Sequence, residues 1–104
     1  MHDIIFLGNS LEDIRDFPEE AKRDTGYELD RVQRGLNPMD WKPMSTISTG
    51  VKEIRVRCAS GIFRTIYFIK KSDGVYVLHA FQKKTQKTPK KDIDVAKMRL
   101  SEIK

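Results

Sequence analysis

The chain has 104 residues, of which 38% are hydrophobic and 34% charged, with a formal net charge of +5. This size fits one small domain spanning residues 1–104, and no apolar run approaches the roughly 20 residues that a membrane helix needs. The short apolar N-terminus without basic residues argues against a secretory signal. Cys58 is the only cysteine, which excludes an internal disulfide. We therefore expect a cytoplasmic protein that does not bind membranes.

The first half of the chain predicts one strand followed by a helical hairpin. Ile4–Leu7 reads as a short apolar strand. Ser10 is placed to cap the helix that follows it, and Pro18 marks either a break or the first position of a second helix. That helix is expected to end near Gly35. Residues 37–50, which contain two prolines and several serines and threonines, are predicted to be a loop.

The second half predicts three antiparallel strands and a final helix. Apolar and polar residues alternate from Lys52 to Cys58, which is typical of a half-buried strand. Ile62–Ile69 and Val75–Phe81 are predicted to continue this meander, joined by an Asp-Gly turn. Thr88 and Pro89 then begin the last helix, with Thr88 as its cap. The order β-α-α-β-β-β-α predicts an α+β fold, an antiparallel meander sheet with helices packed on one face.

Positive charge is concentrated in the second half of the chain. Residues 1–50 carry six basic and ten acidic side chains, whereas residues 51–104 carry fourteen and five. Five lysines fall between Gln82 and Lys91 with no acidic residue among them. Lysines at this density repel one another unless a polyanion neutralises them. The pattern favours a nucleic-acid partner, although charge alone does not distinguish DNA, RNA and anionic lipid.

Three stretches of the second half carry a resemblance to a known family. Residues 50–56 follow the pattern G-x-x-E-hydrophobic-R, residues 61–68 form a strand around Arg64, and residues 79–89 read H-x-F-x-K-K-T-x-K-T-P. In these stretches the chain resembles the RelE/HigB superfamily of bacterial toxins, and specifically its phage-derived HigB-like branch. The third stretch is the specific one. The resemblance implies the RelE-like fold over essentially the whole chain.

The resemblance implies the toxin of a type II toxin-antitoxin system. Such a toxin is an mRNA interferase, a ribosome-dependent endoribonuclease that cuts mRNA in the A site, inhibits translation and arrests growth. Its partner would be a cognate helix-turn-helix antitoxin. The toxin would contact operator DNA only through this antitoxin. The 2′-hydroxyl of RNA would attack the neighbouring phosphorus without a metal or cofactor. This chemistry requires a group that removes a proton, a group that stabilises the phosphorane and a group that protonates the leaving oxygen.

Arg64 and the pair Lys83 and Lys84 are the catalytic candidates. Arg64 matches the family's strand arginine that contacts the scissile phosphate, and a guanidinium can hold two phosphate oxygens. Lys83 and Lys84 follow the third meander strand, where the superfamily often has a catalytic arginine or histidine. A lysine can act as an acid, or as a base if nearby cations lower its pKa. Because consecutive residues point in different directions, we expect one of the two lysines to face the scissile bond.

Further residues are candidates for RNA binding. Arg55 and Arg57 should lie on the polar face of the meander, where one clamps substrate and the other pairs with the antitoxin or with an acid such as Glu53. Non-specific contacts with RNA phosphates are expected from the lysines beyond the strand. These are Lys87, Lys90 and Lys91.

Three residues are weaker candidates. By strand parity His79 groups with an apolar series, Val75, Val77 and Phe81. This favours a histidine in the core or at a sheet edge, and an exposed position would require a β-bulge. Gln86 and Thr88 occupy the region where several relatives have a tyrosine or histidine, although Thr88 is also expected to be the helix cap.

Two alternatives to the nuclease remain open from the sequence. The first is a non-catalytic ribosome- or nucleic-acid-binding module with the same fold, and the second is an interaction domain whose basic face binds an acidic protein. Mapping mRNA ends on ribosomes separates the enzyme from the module. If the enzyme hypothesis holds, Arg64→Ala is expected to relieve growth arrest while leaving the fold intact.

Overall fold

The computed structural model describes residues 1–71, 73–83 and 87–103 and confirms the α+β prediction. Its elements are β1 (Ile4–Phe6), α1 (Ser10–Arg15), α2 (Glu19–Gln33), β2 (Trp41–Pro43), β3 (Val51–Cys58), β4 (Gly61–Lys70), β5 (Gly74–Lys83) and α3 (Lys90–Ser101). Within the described chain, no helix is long and apolar enough to cross a membrane.

The sheet has five strands in the order β1-β5-β4-β3-β2. Strands β3, β4 and β5 form the predicted antiparallel meander, whereas β1 runs parallel to β5 and makes the sheet mixed. Gly74 has a φ of +136°, and a side chain there would collide with the carbonyl of Asp3, so the glycine lets the start of β1 approach.

The prediction of an unbroken loop over residues 37–50 was wrong because the short strand β2 lies within it. Trp41 pairs with Ile54 and Pro43 with Lys52, which extends the sheet by one antiparallel strand at its edge. Proline is tolerated on an edge strand because its missing N–H does not have to serve a second neighbour.

Helices cover both faces of the sheet, not one face as predicted. Helices α1 and α2 pack against a cluster that includes Val56 and Val77, and we call this side the α2 face. Helix α3 packs through Ala96 and Leu100 onto Ile66 and Leu78 on the opposite side, which we call the α3 face. Apolar residues on both sides of the central strands require this arrangement, since each exposed apolar face must be covered.

Neither hydroxyl that was predicted to cap a helix does so. The residues at the N-cap positions of α1 and α3 are Asn9 and Pro89, and neither helix has a side-chain cap hydrogen bond. Ser10 Oγ instead donates to the carbonyl of Val77 at 3.3 Å, and Thr88 Oγ1 donates to the carboxylate of Glu53 at 2.9 Å. Both hydroxyls therefore connect a helix start to the sheet.

A β-bulge in β5 changes which side chains reach the α3 face. Tyr67 pairs with Val77 and Ile66 pairs with His79, so Leu78 is an extra residue without a partner on β4. Arg99 of α3 donates to the carbonyl of Leu78 at 2.9 Å. An extra residue reverses the inward and outward alternation beyond it. From His79 onward the odd-numbered residues of β5 therefore lie on the α3 face.

Candidate functional site

Polar side chains from three strands meet on the α3 face. Arg55 of β3 pairs with Arg64 of β4, which pairs in turn with Phe81 of β5. One row further along, Arg57 pairs with Ile62 and Ile62 with Lys83. Directly paired residues of a sheet share a face. Most of the strand residues predicted for the site thus lie together.

The centre of the site is a buried salt bridge between Arg64 and Glu53. The Arg64 side chain is 4% exposed and that of Glu53 is fully buried, and Arg64 Nη1 donates to Glu53 Oε1. Thr88 Oγ1 donates to the second oxygen, and Lys42 Nζ lies 3.9 Å from the first. The carboxylate thus accepts hydrogen bonds from β4 and from the segment before α3, and it lies near the ammonium group of Lys42 on β2. Arg64 is held within the protein and does not project freely from the strand.

Lys83 is the titratable group that the site perturbs. It is buried, and burial is the largest cause that lowers the pKa of its ammonium group. The positive charges of Arg64, Lys42 and Arg55 lower this pKa further, because a like charge disfavours the charged form. The carboxylate of Glu53 acts in the opposite direction. A lysine with a lowered pKa exchanges its proton closer to neutral pH than an ordinary lysine does.

Arg55 and Arg57 share a different acid from the one suggested by the sequence. Arg55 Nη2 lies 2.8 Å from Asp40 Oδ1, and Arg57 Nε lies 3.6 Å from Asp40 Oδ2. Glu53 is instead occupied by Arg64. The Arg55 side chain is 26% exposed and that of Arg57 is 65% exposed. Both guanidiniums therefore border the buried cluster from the solvent side and can meet a substrate phosphate.

His79 is buried, but on the face opposite to the one that strand parity predicted. The bulge at Leu78 removes His79 from the series of Val75 and Val77 and turns it toward α3. Its Nε2 lies 2.6 Å from Asp92 Oδ1, and its ring stacks on Phe81 with centroids 5.1 Å apart. Its Nδ1 has no hydrogen-bond partner in the described part of the chain. This geometry joins β5 to α3 beside the site.

The remaining lysines lie at the surface around the start of α3. Lys90 is exposed and pairs with Asp94 at 2.8 Å, which raises the pKa of its ammonium group. Lys87 and Lys91 are exposed as well. Their positions suit contacts with an extended polyanion. Two predicted residues, Lys84 and Gln86, fall outside the described residues.

Three residues that complete the site have only weak signals in the sequence. Glu53 belongs to the G-x-x-E-hydrophobic-R stretch, but its partner is fixed by strand register and not by spacing. Lys42 comes from β2, which the sequence placed in a loop. Asp92 opens α3 as an ordinary first-turn acid, so its bond to His79 was not predictable. Over residues 1–71, 73–83 and 87–103, no three acidic, histidine or cysteine side chains form a metal-binding group.

The fold and the site define a small α+β domain with a cluster of cations on one face of its sheet, of which Arg64 and Lys83 are buried. Comparison with protein families adds a specific relationship: the model of the phage-derived Gp49-like proteins (DUF891) matches residues 12–101, so the chain belongs to that family. A comparison with curated proteins gave no match.

Proposed function

We propose that this protein is the toxin of a type II toxin-antitoxin system and acts as a ribosome-dependent mRNA endonuclease. Membership of the phage-derived Gp49-like family supports this proposal, together with the resemblance to HigB-like toxins in three stretches of sequence. The single observation that carries it is the position of Lys83, a buried lysine with a lowered pKa beside Arg55 and Arg64 on one face. Such a lysine suits proton transfer next to a phosphate.

In the proposed reaction the 2′-hydroxyl loses its proton and attacks the adjacent phosphorus, and the 5′-oxygen leaves and takes up a proton. Lys83 makes one of these two proton transfers, as a base in its neutral form or as an acid in its charged form, and solvent water makes the other. Arg55 stabilises the extra negative charge on the phosphorane, since its guanidinium is partly exposed and can turn from Asp40 toward the phosphate. Arg64, which is buried, adds positive potential at the phosphate. To contact the phosphate directly, Arg64 would have to give up part of its salt bridge with Glu53.

The test is to incubate the purified protein with ribosomes that carry a defined mRNA and to map the mRNA ends. Codon-phased cuts with a 5′-hydroxyl and a 2′,3′-cyclic phosphate are expected. Lys83→Met should lower the cleavage rate by about 100-fold or more, since general acid–base groups contribute about 10² to 10⁴-fold. Lys97→Met, which removes an exposed lysine of α3, is the matched control and should cleave normally.

Two results would contradict the proposal. Intact mRNA on ribosomes saturated with the protein would favour a binding module without catalysis. Cleavage that persists when the A-site nucleotide carries a 2′-deoxyribose would exclude attack by the 2′-hydroxyl. The proposed antitoxin partner is tested separately, by co-expression with any adjacent short helix-turn-helix reading frame and measurement of growth.

A further inference from the structure

A concave surface lies next to Arg64 and Lys83, the buried cations of the site. It is a cleft of about 380 Å³ between β2 with its following loop and the segment that leads into α3. Lys42 and Lys87 line it together with Ser45, Thr46 and Thr88. None of the described residues that line the cleft is acidic. We call this surface the Lys42 cleft.

The chemistry of the Lys42 cleft suits a nucleotide. Its two ammonium groups can bind a phosphate, and the hydroxyls of Ser45 and Thr46 can bind a ribose. Pro43, Met44 and Ile93 complete the lining and provide an apolar surface for a base. The volume is within the range of about 300 to 1,000 Å³ that is typical of small-molecule sites.

The Lys42 cleft is continuous with the site. Lys42 lies 3.9 Å from Glu53, and Thr88 donates to the same carboxylate at 2.9 Å. The charge of Lys42 also acts on Lys83. A strand whose phosphate lies at Lys83 can therefore place a neighbouring nucleotide in this cleft.

A groove between α2 and the end of β3 lacks these properties. It measures about 280 Å³ and is lined by three acids in addition to Arg55 and Arg57. The acids are Asp24, Glu28 and Asp40. This lining carries more negative than positive charge, so it suits a polyanion less well than the Lys42 cleft does. The charges thus favour the Lys42 cleft as the path of an RNA strand that leaves the site.

We propose that the Lys42 cleft binds one nucleotide of single-stranded RNA adjacent to the scissile phosphate. This inference rests on the proposed function for the identity of the strand. The phosphate is held by Lys42 and Lys87, and the base packs against the apolar side of the cleft. The cleft then contributes to the choice of sequence, because a base is read there.

The test measures binding of a trinucleotide with 2′-O-methyl groups, which cannot be cut through the 2′-hydroxyl. Backbone amide shifts of Ser45, Thr46 and Thr88 should change on titration. The double variant Lys42→Ala/Lys87→Ala should weaken binding by about tenfold or more, as expected for lost charge-assisted hydrogen bonds. The matched double variant Lys71→Ala/Lys97→Ala removes the same charge from exposed positions outside the cleft and should change affinity by less than about twofold.

A filling variant and an altered ligand keep the test independent of Lys42, which also lies near Glu53. Thr46→Trp places a ring in the cleft from an exposed loop and should weaken binding without removing charge. A trinucleotide with an abasic position should bind to the wild type less tightly than the intact trinucleotide does. It should bind to the wild type and to Thr46→Trp with equal affinity, because it has no base to place in the cleft. Amide spectra of each variant establish that it is folded.

The inference is overturned if shifts are confined to the strand ends near Lys83, if both double variants bind equally, or if millimolar trinucleotide gives no shifts. A cleft that binds an acidic peptide and not RNA also overturns it. The outcome is separate from that of the nuclease proposal. Cleft binding without mRNA cleavage supports this inference and rejects the nuclease proposal. Cleavage of mRNA together with equal binding by both double variants supports the nuclease proposal and rejects this inference.

Discussion

Replacing Arg64 with methionine should destabilise the protein strongly as well as inactivate it. The expectation from the sequence was that loss of Arg64 leaves the fold intact. The structure predicts otherwise, because the partner carboxylate of Glu53 is fully buried. Removing one member of a buried ion pair leaves an uncompensated charge in the interior, which costs about 3–5 kcal/mol.

The remaining contacts of Glu53 place the expected cost at the lower end of that range. Thr88 still donates to the carboxylate at 2.9 Å, and Lys42 remains 3.9 Å away with a side chain that is 34% exposed. We therefore expect a loss of about 3 kcal/mol, a large part of the 5–15 kcal/mol that stabilises a typical domain. With an m-value of about 1.5 kcal/mol/M, the urea midpoint should fall by about 2 M.

Urea unfolding followed by circular dichroism tests this reasoning. Adding Glu53→Gln to Arg64→Met should recover about 2 kcal/mol, because the buried group is then neutral. Arg57→Met is the matched control, a strand arginine that is 65% exposed, and should change stability by less than about 0.5 kcal/mol. A loss below about 1 kcal/mol for Arg64→Met, or no recovery in the double variant, would refute a buried and tightly coupled pair.

Three further predictions concern stability. The pKa of Lys83 is lowered from 10.5, so its charged form destabilises the folded state. Lys83→Met should therefore be more stable than the wild type at pH 7. Urea titrations should show that this difference in stability shrinks as the pH rises through the lowered pKa toward 10.5. A constant difference would contradict this. Asp92→Asn weakens the bond to His79 and should cost about 1–3 kcal/mol, with faster hydrogen exchange in α3; a loss below about 0.5 kcal/mol would argue against that anchor. Gly8→Ala should lower the melting temperature more than Gly35→Ala. Both glycines have positive φ, but only a Cβ on Gly8 displaces the Arg99 guanidinium, which donates to the carbonyl of Leu78. Equal losses would mean that backbone strain alone decides.

The meander was predictable because its signals are local. Alternation with a period of two from Lys52 to Cys58 and the Asp-Gly turn sequence each depend on neighbours in the chain. Short β2 was missed because three residues ending in proline resemble a loop. The bulge at Leu78 was missed because the surrounding residues read as an unbroken strand without glycine or proline.

The candidate site was predictable in its members more than in its contacts. Parity places Arg55 and Arg57 on one polar face, and the meander brings Arg64 beside them. Which carboxylate meets which guanidinium depends on register and on β2, so the pairs Arg64 with Glu53 and Arg55 with Asp40 were inaccessible from spacing. His79 was assigned to the wrong face for the same reason, because one extra residue in β5 reverses the alternation.

The most direct measurement is the structure of the protein bound to a ribosome whose A-site codon carries a 2′-O-methyl group. The account predicts that the scissile phosphate lies within about 3 Å of the Lys83 ammonium group and beside the Arg55 guanidinium. Messenger RNA that contacts the α2 face, or a complex in which Lys83 and Arg55 lie away from the codon, would contradict it.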